Sequence, residues 1–203
     1  MEQGAGGPRV IAIGASAGGV EALRSLAAAL PADLPAALAV VLHLPTSGRS
    51  VLPGILDRAG PLPCAAVRDG ETFAPGRIYV APPDRHLLVT DGVLRLDRSP
   101  PEHGNRPAID LLFASVALAY GPRAIGVILT GTLHDGTAGL ASIKAAGGVA
   151  IVQDPAEAMY PGMPASAIER VAVDHVVRLD ALAGLLAQLA GAAAPSPVMI
   201  EKA

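Results

Sequence analysis

The chain has 203 residues, a length that suits one α/β domain with a sizeable core, and 51% of them are hydrophobic. No apolar run reaches the roughly 18 to 20 residues of a spanning helix, so the sequence predicts no direct membrane insertion. A net charge of −3 with both signs interspersed, and an aromatic content of 2%, supply neither the clustered cations nor the stacking rings that nucleic-acid binding uses, so nucleic acid is not an expected partner.

Residues 1–9 read as a flexible N-terminus, residues 10–190 as the domain and residues 191–203, rich in Ala, Pro and Ser, as a flexible tail. Val10 to Ile13 is a short, continuous apolar run, the pattern of a buried strand. It is too short for the apolar region of a signal peptide, which needs about 7 to 15 residues. A helix follows, with Val20, Leu23, Leu26, Ala27 and Leu30 on one face and Pro31 ending it. Ala39 to Leu42 predicts a second buried strand, Val51 to Ala59 a short helix, and Ala65 to Val67 and Ile78 to Val80 two further strands. Cys64 is the only cysteine. It reads as a small packing residue, and the absence of any possible internal disulfide, with no targeting segment, predicts a cytoplasmic protein.

"HLLVTDGVLRL" predicts a hairpin turning at Asp91-Gly92, inserted at an edge of the sheet. Pro107 suits the first turn of the next helix, whose apolar side is Ile109, Leu112, Phe113 and Val116. Then come a strand at Ala124 to Leu129, a helix at Gly136 to Ala146 closed by Gly147-Gly148, a strand at Val149 to Val152, a helix at Ala165 to Arg170, a strand at His175 to Val177 and a last helix at Leu179 to Leu189. Strands alternating with helices predict a doubly wound, three-layer α/β/α domain with a mainly parallel sheet.

In such a sheet, ligands bind beyond the carboxyl ends of the strands. Ser16 stands just past the first strand, in Gly14-Ala15-Ser16-Ala17-Gly18-Gly19; His43 follows the second directly; Asp135 lies in "TGTLHDG", after the strand "AIGVIL". Nucleophile, base and orienting carboxylate therefore emerge at one rim, the set a Ser-His-Asp mechanism requires. Amides at the start of the following helix are placed to receive an oxyanion. Each residue also has a plainer reading: Ser16 in a glycine-rich or phosphate-binding turn, His43 as a strand-end histidine, Asp135 as a cap of the next helix. The phosphate reading lacks the acidic residue that a dinucleotide fold places after its second strand, and the glycine spacing misses G-x-G-x-x-G. The Gly14 to Gly18 stretch fits a nucleophile elbow, but the order Ser, His, Asp differs from the Ser, Asp, His order of α/β-hydrolases.

"IGASAGGVEAL", "VVLHLP", "IYVAPPDRHLLV", "NRPAIDLLFASVA", "LTGTLHDGTAGL", "GGVAIVQDP" and "MYPGMPASAI" together resemble the catalytic domain of CheB-type protein-glutamate methylesterases, in that family's order and over Val10 to Leu189. The resemblance implies a serine esterase of chemotaxis adaptation that hydrolyses glutamate γ-methyl esters on the cytoplasmic helices of chemoreceptors and releases methanol; some members also deamidate glutamines. It maps the family's serine, histidine and aspartate onto Ser16, His43 and Asp135. It implies no metal or cofactor.

The chain departs from the family pattern in three places. Ala17 replaces a common threonine, Leu44 follows His43 where methionine is usual, and Gly131-Thr132-Leu133-His134-Asp135-Gly136 replaces Gly-Met-Gly-x-Asp-Gly. The methionine's amide role at the oxyanion would pass to Thr132, and Leu133 in place of glycine is expected to reshape the loop. About nine residues precede the first strand where full-length members carry a receiver domain, so a stand-alone catalytic domain is expected. The altered loop keeps open a second reading, a non-catalytic module that binds receptors or partners. His103 and Arg106, in the loop from Pro100, are weaker candidates to border the cleft; His134 neighbours the site, and His86 and His175 read as structural.

Overall fold

The computed structural model describes residues 7–43 and 50–191. Most of the two expected flexible ends, and Leu44 and Pro45 of the "VVLHLP" motif, lie outside the described residues.

In chain order the elements are β1 (Arg9–Ala15), α1 (Gly19–Ala29), β2 (Ala36–Leu42), α2 (Leu52–Ala59), β3 (Cys64–Ala66), β4 (Arg77–Val80), β5 (His86–Thr90), β6 (Val93–Asp97), α3 (Ile109–Tyr120), β7 (Ala124–Ile128), α4 (Thr137–Ala145), β8 (Val149–Gln153), α5 (Gly162–Arg170), β9 (His175–Val177) and α6 (Leu179–Ala190). Seven strands form one sheet in the order β3-β4-β2-β1-β7-β8-β9, and every pairing is parallel. The chain winds outward from β1 through β2 on one side and through β7 on the other. The crevice between β1 and β7 is thus the switch point where such sheets bind ligands.

Strands buried on both faces must be apolar throughout, which is why β2 reads Ala-Ala-Leu-Ala-Val-Val-Leu. Their alternate residues feed two cores. Ile11, Ile13, Leu38, Val40, Ile125, Val127 and Ile151 pack with α1, α2 and α6. Val10, Ala12, Ala37, Ala39, Ala124 and Ile128 pack with α3, α4 and α5. The three-layer α/β/α class follows directly from this division.

The hairpin departs from its expected place. β5 and β6 pair antiparallel as a separate two-stranded sheet and do not extend an edge of the main one. Its inward residues Leu87, Val89 and Leu94 are wholly apolar and join Leu112, Phe113 and Val116 of α3 in the second core, so burial takes it onto a face. The turn is as the sequence predicts, with Asp91 and Gly92 both at positive φ (50° and 75°). Pro107 also falls outside the helix it was expected to open: α3 begins at Ile109, because its first amides meet a carboxylate from another element. The helix expected from Ala165 starts earlier, at Gly162.

Candidate active site

Ser16 leaves β1 at the switch point. Its amide donates to the Thr130 carbonyl at 3.0 Å, which prolongs the β1–β7 ladder by one bond. The chain then turns through Gly18 at φ 75° into α1. A small polar network fixes this turn. Gln153, buried in β8, accepts the Thr130 amide at 2.9 Å, and the Thr130 hydroxyl donates to the Ala17 carbonyl at 3.0 Å. Gly131 must lack a Cβ, which would stand 2.9 Å from the Cβ of Ser16 and 2.2 Å from Met163 Sδ.

His43 is the first residue past β2, and its amide donates to the Ala15 carbonyl at 3.1 Å, continuing the β1–β2 pairing. That bond brings the imidazole beside the serine. Nε2 lies 2.7 Å from Asp135 Oδ2 and Nδ1 lies 3.3 Å from Ser16 Oγ. An ionised carboxylate only accepts, so the ring proton sits on Nε2 and donates to Asp135. The lone pair on Nδ1 then faces the serine hydroxyl. At 3.3 Å this contact is long for a hydrogen bond.

Asp135 is 3% exposed and lies between β7 and α4. The plainer expectation was a cap for the following helix. Instead it serves the preceding one: Oδ2 accepts the Ile109 amide at 2.9 Å and Oδ1 the Asp110 amide at 3.1 Å, both in the first turn of α3. Burial pushes its carboxyl upward, but the His43 bond and these two amides outweigh that and hold it below the ordinary value of 3.8. The helix N-terminus adds its own positive field. The carboxylate therefore stays ionised inside the protein, where it orients the imidazole.

These three side chains open onto a cleft of about 310 Å³, shared with His103, Asn105, Thr132, Leu133 and His134. His103 thus borders the cleft, and its ring meets that of His134 edge-on at 5.3 Å. Arg106 does not line it. Its guanidinium pairs with Asp84 and donates to the carbonyls of Arg98 (3.3 Å) and Ser99 (3.0 Å), so it ties the hairpin's far end to the loop before α3. His86 is structural: Nδ1 accepts the Ala108 amide and Nε2 donates to the Pro100 carbonyl. His175 stands in the edge strand β9. Cys64 is buried, and desolvation raises its thiol to about 12, so it packs and does not attack.

The departing loop has the shape expected of a glycine but carries a leucine. Leu133 adopts φ 66° and leaves its side chain 72% exposed at the cleft rim. Among the described residues, the amides of Ala17 and Thr132 donate to no protein acceptor, which leaves them free for an oxyanion. Among the described residues no group of three or more His, Cys, Asp or Glu is placed to hold a metal ion.

Sequence reasoning passed over Asn105, Gln153 and Asp110. Asn105 and Asp110 both lie in the quoted "NRPAIDLLFASVA" and Gln153 in "GGVAIVQDP", yet a polar residue in a loop, in a helix's first turn or at a strand end carries no mark of its place in the fold.

A doubly wound parallel sheet with serine, histidine and aspartate in one hydrogen-bonded series at its switch point defines the class: an α/β protein with a Ser-His-Asp site. The chain belongs to the CheB methylesterase family, whose model matches residues 11–186. It is 42% identical over 189 residues to protein-glutamate methylesterase/protein-glutamine glutaminase 1 of Xanthomonas euvesicatoria pv. vesicatoria, covering 91% of this chain and 52% of that protein. It is 44% identical over 181 residues to the corresponding protein 3 of Anaeromyxobacter dehalogenans, covering 88% of this chain and 53% of that one. The chain therefore spans about half the length of the curated relatives it matches. The crystal structure of the Thermotoga maritima CheB methylesterase catalytic domain superposes with a TM-score of 0.86 at 34% identity, covering 90% of this chain and 98% of that domain.

Proposed function

We propose that this chain is a serine-type protein-glutamate methylesterase. It hydrolyses glutamate γ-methyl esters on the cytoplasmic helices of a chemoreceptor or a similar signalling protein, and works in the cytoplasm. The observation that carries this reading is the unbroken series Ser16 Oγ, His43 Nδ1, His43 Nε2 and Asp135 Oδ2 at the mouth of an open cleft.

In this reading Ser16 Oγ attacks the ester carbonyl while its proton passes to Nδ1 of His43. The imidazolium that forms is stabilised by Asp135. The amides of Ala17 and Thr132 receive the oxyanion. Collapse of the tetrahedral species expels methanol, which takes the proton from Nδ1, and leaves a glutamyl ester on Ser16. Water, deprotonated in turn by His43, hydrolyses that ester and restores the serine. A glutamine side chain would follow the same course with ammonia leaving, and the names of both curated relatives include a glutaminase activity.

The non-catalytic alternative rests on the altered 131–136 loop. The full hydrogen-bonded series and an aspartate held ionised under burial speak against it, since binding alone needs neither. The test is methanol release from a methylated receptor. Wild type should turn over, and Ser16→Ala should lose on the order of 10⁴ to 10⁶ in kcat. Comparable turnover by the two proteins would overturn the reading.

A further inference from the structure

Asp110 is a carboxylate residue that the reaction as described does not use, yet it is 7% exposed, one position into α3 and one bond from Asp135. Its Oδ1 accepts the amide of Gly139 at 2.7 Å, and Gly139 lies in the first turn of α4. Asp135, just ahead of α4, meanwhile accepts the amides of Ile109 and Asp110 in the first turn of α3. The first turn of α4 thus donates to a carboxylate of α3, and the first turn of α3 to a carboxylate just ahead of α4. The bonds close a ring: Asp135 runs along the chain to Gly139, Gly139 donates to Asp110, and the Asp110 amide donates back to Asp135.

Gly139 makes the ring possible. A Cβ there would stand 2.6 Å from the Cβ of Phe113 and 2.7 Å from the Asp110 carbonyl oxygen, so only glycine lets the two first turns approach this closely. The segment from Asp135 to Gly139 is also tied to α5, where the Thr137 hydroxyl lies 3.2 Å from Ser166 Oγ. The Asp110 bond is the one that joins it to the helix start whose amides hold Asp135.

We propose that Asp110 is a positioning residue: by anchoring the first turn of α4 to the first turn of α3 it fixes Asp135, and through Asp135 the tautomer and orientation of the His43 imidazole. The proposal rests on the esterase reading for its effect on rate, though not for its effect on the imidazole. The anchoring needs an acceptor oxygen, not a charge. Burial in fact pushes the Asp110 carboxyl up to about 6, with the charges of Asp135 and Glu102 adding to that push and the Gly139 amide opposing it. A hollow of about 330 Å³, lined by His103, His134 and Arg170 among others, lets that proton exchange with solvent.

Two variants, with a third in reserve, test this. Asp110→Asn keeps an acceptor oxygen at the same reach, whereas Asp110→Ala removes it. Asp110→Ser, whose hydroxyl is one bond too short for the Gly139 amide, replaces the alanine variant should that fail to fold. Methyl-ester turnover is measured well below each melting temperature, beside long-range ¹H–¹⁵N spectra of the His43 ring. The alanine or serine variant should lose on the order of 10- to 100-fold in kcat with KM unchanged. Its ring spectrum should shift from the pure Nε2–H form to a mixture, and Asp110→Asn should restore both readouts. A folded alanine or serine variant with wild-type kcat and an unmixed tautomer would overturn the proposal, as would an asparagine variant as damaged as they are. Absence of Ser16-dependent turnover in wild type would instead remove the esterase reading, and the ring spectra would still decide the role of Asp110.

Discussion

The His43 ring is seated with its nitrogens exchanged relative to the serine-protease arrangement, where Nε2 faces the serine and Nδ1 the aspartate. Here Asp135 takes Nε2 and Ser16 faces Nδ1. Either nitrogen can serve as base provided the other carries the proton, so the chemistry requires an acceptor at Nε2, and Asp135 supplies it. The two neighbouring aspartates should leave opposite marks on stability. Asp135, lowered in the folded state, stabilises the fold above its unfolded value near 3.8, and that contribution goes as pH falls through the lower folded value. Asp110, raised to about 6 from 3.8, contributes stability that is whole below 3.8 and is lost as pH rises through about 6. Thermal melts of wild type and Asp110→Asn should therefore diverge as pH rises from about 4 to about 7, with the asparagine variant the more stable at the upper end. A melting-temperature difference that stays constant across that window would contradict the assigned shift.

At the scale of elements, the site depends on β1 lying close under the first turn of α3. Gly14 in β1 has no room for a side chain: a Cβ would come within 2.3 Å of Ile109 Cγ2 and 2.9 Å of its Cδ1. Ile109 is wholly buried, and its amide is one of the two that hold Asp135. Gly14→Ala should therefore do two things at once. Forcing a methyl into this contact should cost about 1 to 3 kcal/mol in urea unfolding. It should also lower kcat, because moving Ile109 moves an amide that holds the aspartate. A variant with wild-type unfolding midpoint and turnover would show that β1 and α3 do not brace the site.

Over the whole molecule, the sheet was legible because its strands are short, uniformly apolar runs that end in polar residues. Ser16 and His43 stood out for the same reason, each a chemically capable residue directly past such a run, and Asp135 as the acidic residue of the loop that follows the strand at Ala124–Ile128; the parallel order brings those ends together. The place of the hairpin was not legible. The alternation in "HLLVTDGVLRL" fixes its pairing but says nothing of which neighbour its apolar side will meet, and α3 is more than a dozen residues further on. Asp110 was illegible because an acidic residue in a helix's first turn is ordinary; only the approach of α4, permitted by Gly139, buries it. The exchange of nitrogens on His43 was equally hidden, since it is set by side-chain geometry and not by spacing.

The central claim is that His43 activates Ser16. It is tested most directly by treating wild type and His43→Ala with a fluorophosphonate and locating the adduct by peptide mass spectrometry. The account predicts an adduct on Ser16 in wild type, forming about a hundredfold or more slower in the variant although the serine itself is intact. Equal labelling of Ser16 in the two proteins, or an adduct only at some other residue, would contradict it.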